Sequence, residues 1–183
     1  MNMKRLFIAL PIEAGFSRQL LKNFGTLDLP WEKLKIVDFE QLHLTLKFLG
    51  DTPLDKLPEI IKALNEIKIG TKDIELNIYQ TKIFNPARPQ VLSLSIKENL
   101  NLQKLYDAID QKLFDKSLAH KEIRKFTPHL TLARIKKSAD LKEFDAFTNW
   151  PVNKIFSISY FELIESELTS KGPVYTVLQI FDL

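Results

Sequence analysis

A histidine and a threonine two positions apart, written twice, are where this sequence could do chemistry: His43 and Thr45 in HLTLKFLG (43–50), and His129 and Thr131 in HLTLAR (129–134). An imidazole titrates near pH 6.5, so of two facing imidazoles one can be neutral as a base while the other is protonated as an acid. Such a pair can take a proton from water on one side of a phosphorus and give one to the leaving oxygen on the other. Each transfer is worth about 10²–10⁴ in rate. Threonine hydroxyls beside the imidazoles are suited to bind the non-bridging phosphate oxygens and the charge that builds on them. Nothing in this scheme calls for a metal or a cofactor.

A single His-x-Thr is a weak motif and reads most simply as a structural strand histidine. Two copies among only three histidines, each with a leucine after the threonine, favour the functional reading. Zinc is the sharper rival, but a catalytic zinc takes three protein ligands and a structural one four. The third histidine, His120, lies in the polar segment AHKEIRK, so a carboxylate would have to complete the set, and His120 reads as a surface residue. No nucleophile elbow and no glycine-rich phosphate loop are present in a chain with 5 glycines. With no cysteine, thiolate metal sites and cysteine nucleophiles are excluded.

The motifs need elements to hold them. In a strand, side chains alternate, so His43, Thr45 and Lys47 should face one way and Leu42, Leu44, Leu46 and Phe48 the other. His129 and Thr131 likewise oppose Leu130 and Leu132, and parity puts Arg134 opposite the histidine. Strand patterns run over Arg5 to Leu10, Leu42 to Leu49, Ile74 to Tyr79, Val91 to Ile96, His129 to Ile135, Lys154 to Glu165 and Val174 to Phe181. Helical stripes are carried by Phe16, Leu20, Leu21 and Phe24, by Leu54 through Ile67 with Asp51 or Thr52 as caps, and by Leu102 through Leu113 opening near Asn99 or Asn101. A weaker one runs from Ser138 through Leu141, Phe144 and Phe147. The expectation is an α+β fold, a largely antiparallel sheet with helices on one side. Each histidine lies between two helices, nearly half the chain apart, which predicts two related lobes; with no linker rich in Gly or Ser, residues 1–183 read as a single bilobal domain.

At 183 residues and 45% hydrophobic content the chain can build a substantial core. Its net charge of +3 does not by itself imply nucleic acid. Lys121, Arg124, Lys125, Arg134, Lys136 and Lys137 do crowd around the second motif, either as a field for an anionic substrate or as a solvated basic surface. RLFIAL near the N-terminus is too short for a signal sequence and reads as a first strand. No stretch has the length of a membrane span, so the expectation is a soluble protein; the lack of cysteine suits a reducing cytoplasm, and the want of an obvious exposed apolar seam suits a monomer.

These residues resemble the 2H phosphoesterases, named for two His-x-Thr/Ser-x motifs, and within them the RNA 2′,3′-cyclic phosphodiesterases, also called 2′-5′ RNA ligases (LigT-like). The resemblance runs from RLFIAL and HLTLKFLG through ARPQVLSLSI and FTPHLTLAR to the tail ESELTSKGPVYTVLQIFDL. It implies a bilobal α+β fold with pseudo-twofold symmetry and a groove between the lobes. It also implies hydrolysis of an RNA-terminal 2′,3′-cyclic phosphate to a 2′-phosphate, with His43 as proton donor, His129 as proton acceptor, and Thr45 and Thr131 holding the phosphate. Ligation is the same chemistry reversed. Arg88, in its Pro-bounded loop, and Arg134 are candidate phosphate or base contacts; a salt bridge is the plainer reading of Arg134. One departure is Ser93, where the family pattern leads to an aromatic; Phe48, Phe84 and Tyr175 are the other aromatics considered for stacking, Phe48 being assigned to the core by alternation. A small cyclic nucleotide, an ADP-ribose cyclic phosphate or a 2′-5′ oligonucleotide as substrate, or a module that binds RNA ends without chemistry, are the competing readings.

Overall fold

The structure, a computed structural model, describes residues 2–136, 139–170 and 172–183. In chain order its elements are β1 (Met3–Pro11), α1 (Ala14–Phe24), β2 (Leu34–Ile36), β3 (His43–Pro53), α2 (Leu57–Asn65), β4 (Ile74–Phe84), β5 (Val91–Ile96), α3 (Leu100–Asp115), β6 (His129–Ile135), α4 (Asp145–Thr148), β7 (Lys154–Ile158), β8 (Tyr160–Thr169) and β9 (Gly172–Asp182). All paired strands are antiparallel and form one sheet in the order β7-β4-β5-β6-β3-β1-β8-β9, with β2 added on β6.

That order is symmetric about its centre. The two motif strands, β3 and β6, are neighbours, flanked by β1 and β5, then by β8 and β4, then by β9 and β7. The fold is therefore the expected α+β, with two pseudo-twofold related lobes. Between the two motif strands the ladder holds a single bridged pair, Leu44 with Leu130. Beyond it the remaining edge of β6 turns to β2, pairing Leu34, Lys35 and Ile36 with Ile135, Arg134 and Ala133. The sheet thus splays at its middle, and the splay is the groove.

Leu44, Leu46, Leu130 and Leu132 are buried with Leu105, Ile109 and Leu113 of α3, as the leucine face of each motif requires. Each such side chain removed from water contributes about 1.5–3 kcal/mol. Helix α3 starts where Asn99 accepts the Leu102 N–H at 2.9 Å, and the Glu13 carboxylate caps α1 from Gly15 and Phe16.

Two expectations about elements are corrected. Asp51 and Thr52 do not cap α2; they are the last turnless part of β3, paired with Arg5 and Lys4, and α2 begins only after Lys56, which supplies no side-chain cap. The run Lys154 to Glu165 is two strands, because at Ser159 the chain changes partner from β4 to β1. One residue leaves no room for turn chemistry, so the alternation reads straight through it. It also forces the sheet to curl, since β7 ends one side of the strand order and β8 lies near the other. The fourth stripe is a 3-10 turn, Leu141–Phe144 with an Asp140–Glu143 capping box, running into α4; Ser138 lies outside the described residues.

Candidate active site

Each motif histidine is fixed by its own backbone. The Nδ1–H of His43 donates to the Gln41 carbonyl at 2.7 Å, and that of His129 to the Thr127 carbonyl at 2.8 Å, in both cases two residues upstream. A carbonyl can only accept, so Nδ1 carries the hydrogen and Nε2 is the nitrogen left for a ligand. Gln41 is anchored in turn, its Nε2 donating to the Pro173 carbonyl at 2.9 Å in the β8–β9 hairpin.

After each threonine the strand bulges. Opposite β3, the register passes from Ala9–Thr45 to Ile8–Lys47, skipping Leu46; opposite β6 it passes from Ser93–Thr131 to Leu92–Ala133, skipping Leu132. A bulge shifts every later side chain to the other face. The parity reading is therefore right up to the threonine and reversed beyond it. Phe48, expected in the core, is 68% exposed, and its ring lies 5.9 Å from Phe7, which is itself 5.0 Å from His43. Arg134, expected opposite the histidine, is exposed on the groove side, where its charge reaches His43, His129 and Tyr175. Lys47, expected beside His43, is buried and its Nζ donates to Asp110 Oδ1 at 2.5 Å and to the His120 carbonyl at 2.8 Å.

Aromatic rings wall both imidazoles. Phe7 and Tyr175 approach His43 at 5.0 and 5.5 Å, and Phe84 approaches His129 at 4.7 Å with Lys82 Nζ 4.8 Å over the same phenyl ring. Burial is the main cause holding both histidines below their ordinary pKa; the carbonyl hydrogen bonds act against it. The charges of His129 and Arg134 lower His43 further, and those of Lys82 and Arg134 lower His129. Near neutrality both free imidazoles are thus mainly uncharged, and an arriving anion is what favours protonating one of them.

The segment leading into β6 closes one side of the groove. Asp110 holds it, accepting from Lys47, from the Glu122 N–H at 3.1 Å and from Lys121 at 3.2 Å. Thr45, Phe48, Phe84, Arg124 and His129 then share a hollow of about 280 Å³. Of the basic cluster, Arg124 and Lys125 line that hollow while also meeting Glu122 at 3.4 Å and Glu98 at 3.6 Å; Lys137 lies outside the described residues. Arg88 sits apart on the exposed turn of the β4–β5 hairpin, its N–H donating to the Asn85 carbonyl at 2.9 Å. Thr131 is half-buried beside fully buried Ser93, whose hydroxyl donates to the Lys82 carbonyl at 3.0 Å. His120 is exposed, and among the described residues no three His, Asp or Glu side chains gather to hold a metal.

Phe7 and Lys82 were not singled out from sequence. Lys82 was missed because the strand pattern stops at Tyr79, whereas β4 continues through polar Gln80, Thr81 and Lys82, which pair with β5. A signal did exist: polar residues continuing a strand toward Phe84 are what a ligand-facing sheet surface looks like.

A family model described as the 2′-5′ RNA ligase superfamily matches residues 31–168. The chain is 34% identical over 187 residues to an RNA 2′,3′-cyclic phosphodiesterase of Thermus thermophilus, covering 98% of this chain and 90% of that one. It is 30% identical over 190 residues to one of Archaeoglobus fulgidus, covering 97% and 99%. Among solved structures, a Thermus thermophilus protein superposes with a TM-score of 0.80 at 28% identity over 98% of this chain and 97% of that one. E. coli LigT complexed with 3′-AMP shares the fold, with a TM-score of 0.82 at 23% identity over 100% and 99%. With doubled motif, mirrored strand order and family model in agreement along the chain, it belongs to the 2′-5′ RNA ligase superfamily.

Proposed function

We propose that the chain hydrolyses the 2′,3′-cyclic phosphate at an RNA 3′ end, or in a cyclic nucleotide, to a 2′-phosphate, acting as a single bilobal unit. The observation that carries this reading is the pair of imidazoles with Nδ1 committed to a carbonyl and Nε2 left over, one on each lobe beside the same groove. His129 Nε2 takes a proton from water as the water oxygen bonds to phosphorus. His43, protonated at Nε2, gives its proton to O3′ as the P–O3′ bond breaks. The two copies share one local geometry, so these roles follow the family resemblance.

Thr45 and Thr131 donate to the non-bridging oxygens, and Arg134, whose charge already reaches both imidazoles, balances the charge that develops. Arg88 serves RNA that extends along the β4–β5 hairpin. Relatives covering nearly the whole chain and named RNA 2′,3′-cyclic phosphodiesterase support this substrate class. Every group in the scheme belongs to one chain, so a monomer suffices.

Phosphorus NMR of a cyclic-ended short RNA incubated with the protein in excess EDTA tests it. The cyclic-ester resonance is expected to give way to a 2′-monophosphate, and to persist with His43→Ala and with His129→Ala. A cyclic end recovered intact from the wild type would leave a module that binds RNA ends without chemistry.

A further inference from the structure

The groove face does not end at His129. Across the sheet His129 pairs with Ser95 and Ser95 with Gln80, while Thr131 pairs with Ser93 and Ser93 with Lys82. Directly opposed residues share a face, so Gln80 and Lys82 stand on the motif side, two strands away. A register shift between Ile78 and Gln80 brings Tyr79 out as well, leaving Ile78 fully buried and Tyr79 47% exposed. Over this surface opens a cavity of about 690 Å³, lined by Tyr79, Gln80, Lys82, Ser95 and Lys125. It shares Lys125, Phe126 and Thr127 with the hollow that contains Thr45 and His129.

In-line phosphoryl transfer puts the attacking and leaving oxygens on opposite sides of phosphorus. On the roles proposed above, the ribose and its departing O3′ lie on the His43 side, and the His129 side belongs to the nucleophile. A hydrolase needs room there for one water, whose share of liquid volume is about 30 Å³. The cavity that opens next to Thr127 and Pro128, on the His129 side, has room for a nucleoside. Its furnishings match one: an exposed phenol ring, an amide side chain, and two ammonium groups, one of them Lys125 with its ion-pair partner Glu98 at 3.6 Å.

We infer that this cavity is the subsite for the 5′-terminal nucleoside of a second RNA, whose 5′-hydroxyl takes the place of water, with its base against Tyr79 and its next phosphate between Lys82 and Lys125. The inference rests on the proposed reaction. In this step the 5′-oxygen bonds to phosphorus and its proton passes to His129 Nε2. The P–O3′ bond breaks and O3′ takes the proton held by His43. The product is a 2′-5′ phosphodiester with a free 3′-hydroxyl, formed from the cyclic ester without a further reactant.

The test mixes a cyclic-ended short RNA with an excess of a 5′-hydroxyl short RNA and separates hydrolysed from 2′-5′ ligated product, for wild type, Tyr79→Ala and Tyr79→Phe. Hydrolysis of a 2′,3′-cyclic mononucleotide is followed in parallel. One stacked base is worth about 1–3 kcal/mol, so Tyr79→Ala is expected to lower the ligated share about tenfold while mononucleotide hydrolysis stays within about twofold. Tyr79→Phe keeps the ring and is expected to keep ligation. An equal fall in ligation and mononucleotide hydrolysis would put the cyclic end itself in the cavity and overturn the inference. So would an unchanged ligated share in Tyr79→Ala, or a wild type that hydrolyses and never ligates. A wild type inert on both substrates would instead remove the hydrolytic reading beneath it.

Discussion

The strands HLTLKF and HLTLAR are the same device up to the bulge and different devices after it. Up to the bulge each holds its imidazole by a hydrogen bond to the carbonyl two residues upstream, buries two leucines and presents a threonine. After it, β3 buries Lys47 and exposes Phe48, whereas β6 buries Ala133 and exposes Arg134. Behind the threonines the rows diverge as well, Thr45–Ala9–Glu162 in one lobe and Thr131–Ser93–Lys82 in the other. What the lobes share is the geometry of proton transfer. What separates them is charge and aromatic surface, and these allow two like imidazoles to do unlike work.

The shared half predicts the largest effect. His43→Ala and His129→Ala should each lower kcat by about 10²–10⁴, because each removes one proton transfer from the same step. The double variant should lose far less than the product of the two, as groups acting as a unit do. Steady-state rates on a cyclic nucleotide check this, and a fully multiplicative loss would mean that the two histidines contribute to the transition state independently rather than as a unit.

The first difference after the bulge predicts the next largest. Buried Lys47 of β3 ties its strand to α3 through Asp110 and to the segment that enters β6 through the His120 carbonyl, and Arg134, the exposed cation after the β6 bulge, makes no such buried pair among the described residues. Asp110→Ala leaves an ammonium buried without its partner and should cost about 3–5 kcal/mol in urea unfolding, whereas Lys47→Met with Asp110→Leu should restore most of it. Burial alone would raise the Asp110 carboxyl, but hydrogen bonds from Lys47, the Glu122 N–H and Lys121 outweigh it and hold it below the ordinary range. A carboxylate lowered in the folded state stabilises fully above its unfolded pKa, about 3.9, and this stability is lost as pH falls through the lower folded value. The wild type should therefore shed this contribution only below about pH 4, a slope that Asp110→Ala should lack.

The same bulges mark where the fold and the site stopped being legible. The histidines, the threonines, the leucine faces and the doubled lobes can all be read from period-two alternation and repetition. Phe48, Lys47 and Arg134 cannot, because one extra residue reverses their parity and neither motif contains a glycine or proline at that point to announce it. The switch at Ser159 hides for the same reason: both sides of it alternate. Lys82 is obscured differently, since the residues that finish β4 after Tyr79 are polar toward the groove and so lack the wet-and-dry pattern that identifies a strand.

The second difference is the subtlest and the most direct test of the comparison. Arg134 lowers both histidines, whereas Lys82 acts on His129 and is not among the groups that act on His43. Removing a positive charge raises a neighbouring imidazole's pKa. In NMR titrations of the histidine rings, Lys82→Met should raise the midpoint of His129 and leave that of His43 in place, while Arg134→Met should raise both. Each shift should be smaller than the depression due to burial, which is the leading cause at either ring. Equal movement of the two rings in Lys82→Met would mean that the groove averages its charges over both lobes. Their division of labour would then have to come from the aromatic walls, Phe7 and Tyr175 on one side and Phe84 on the other.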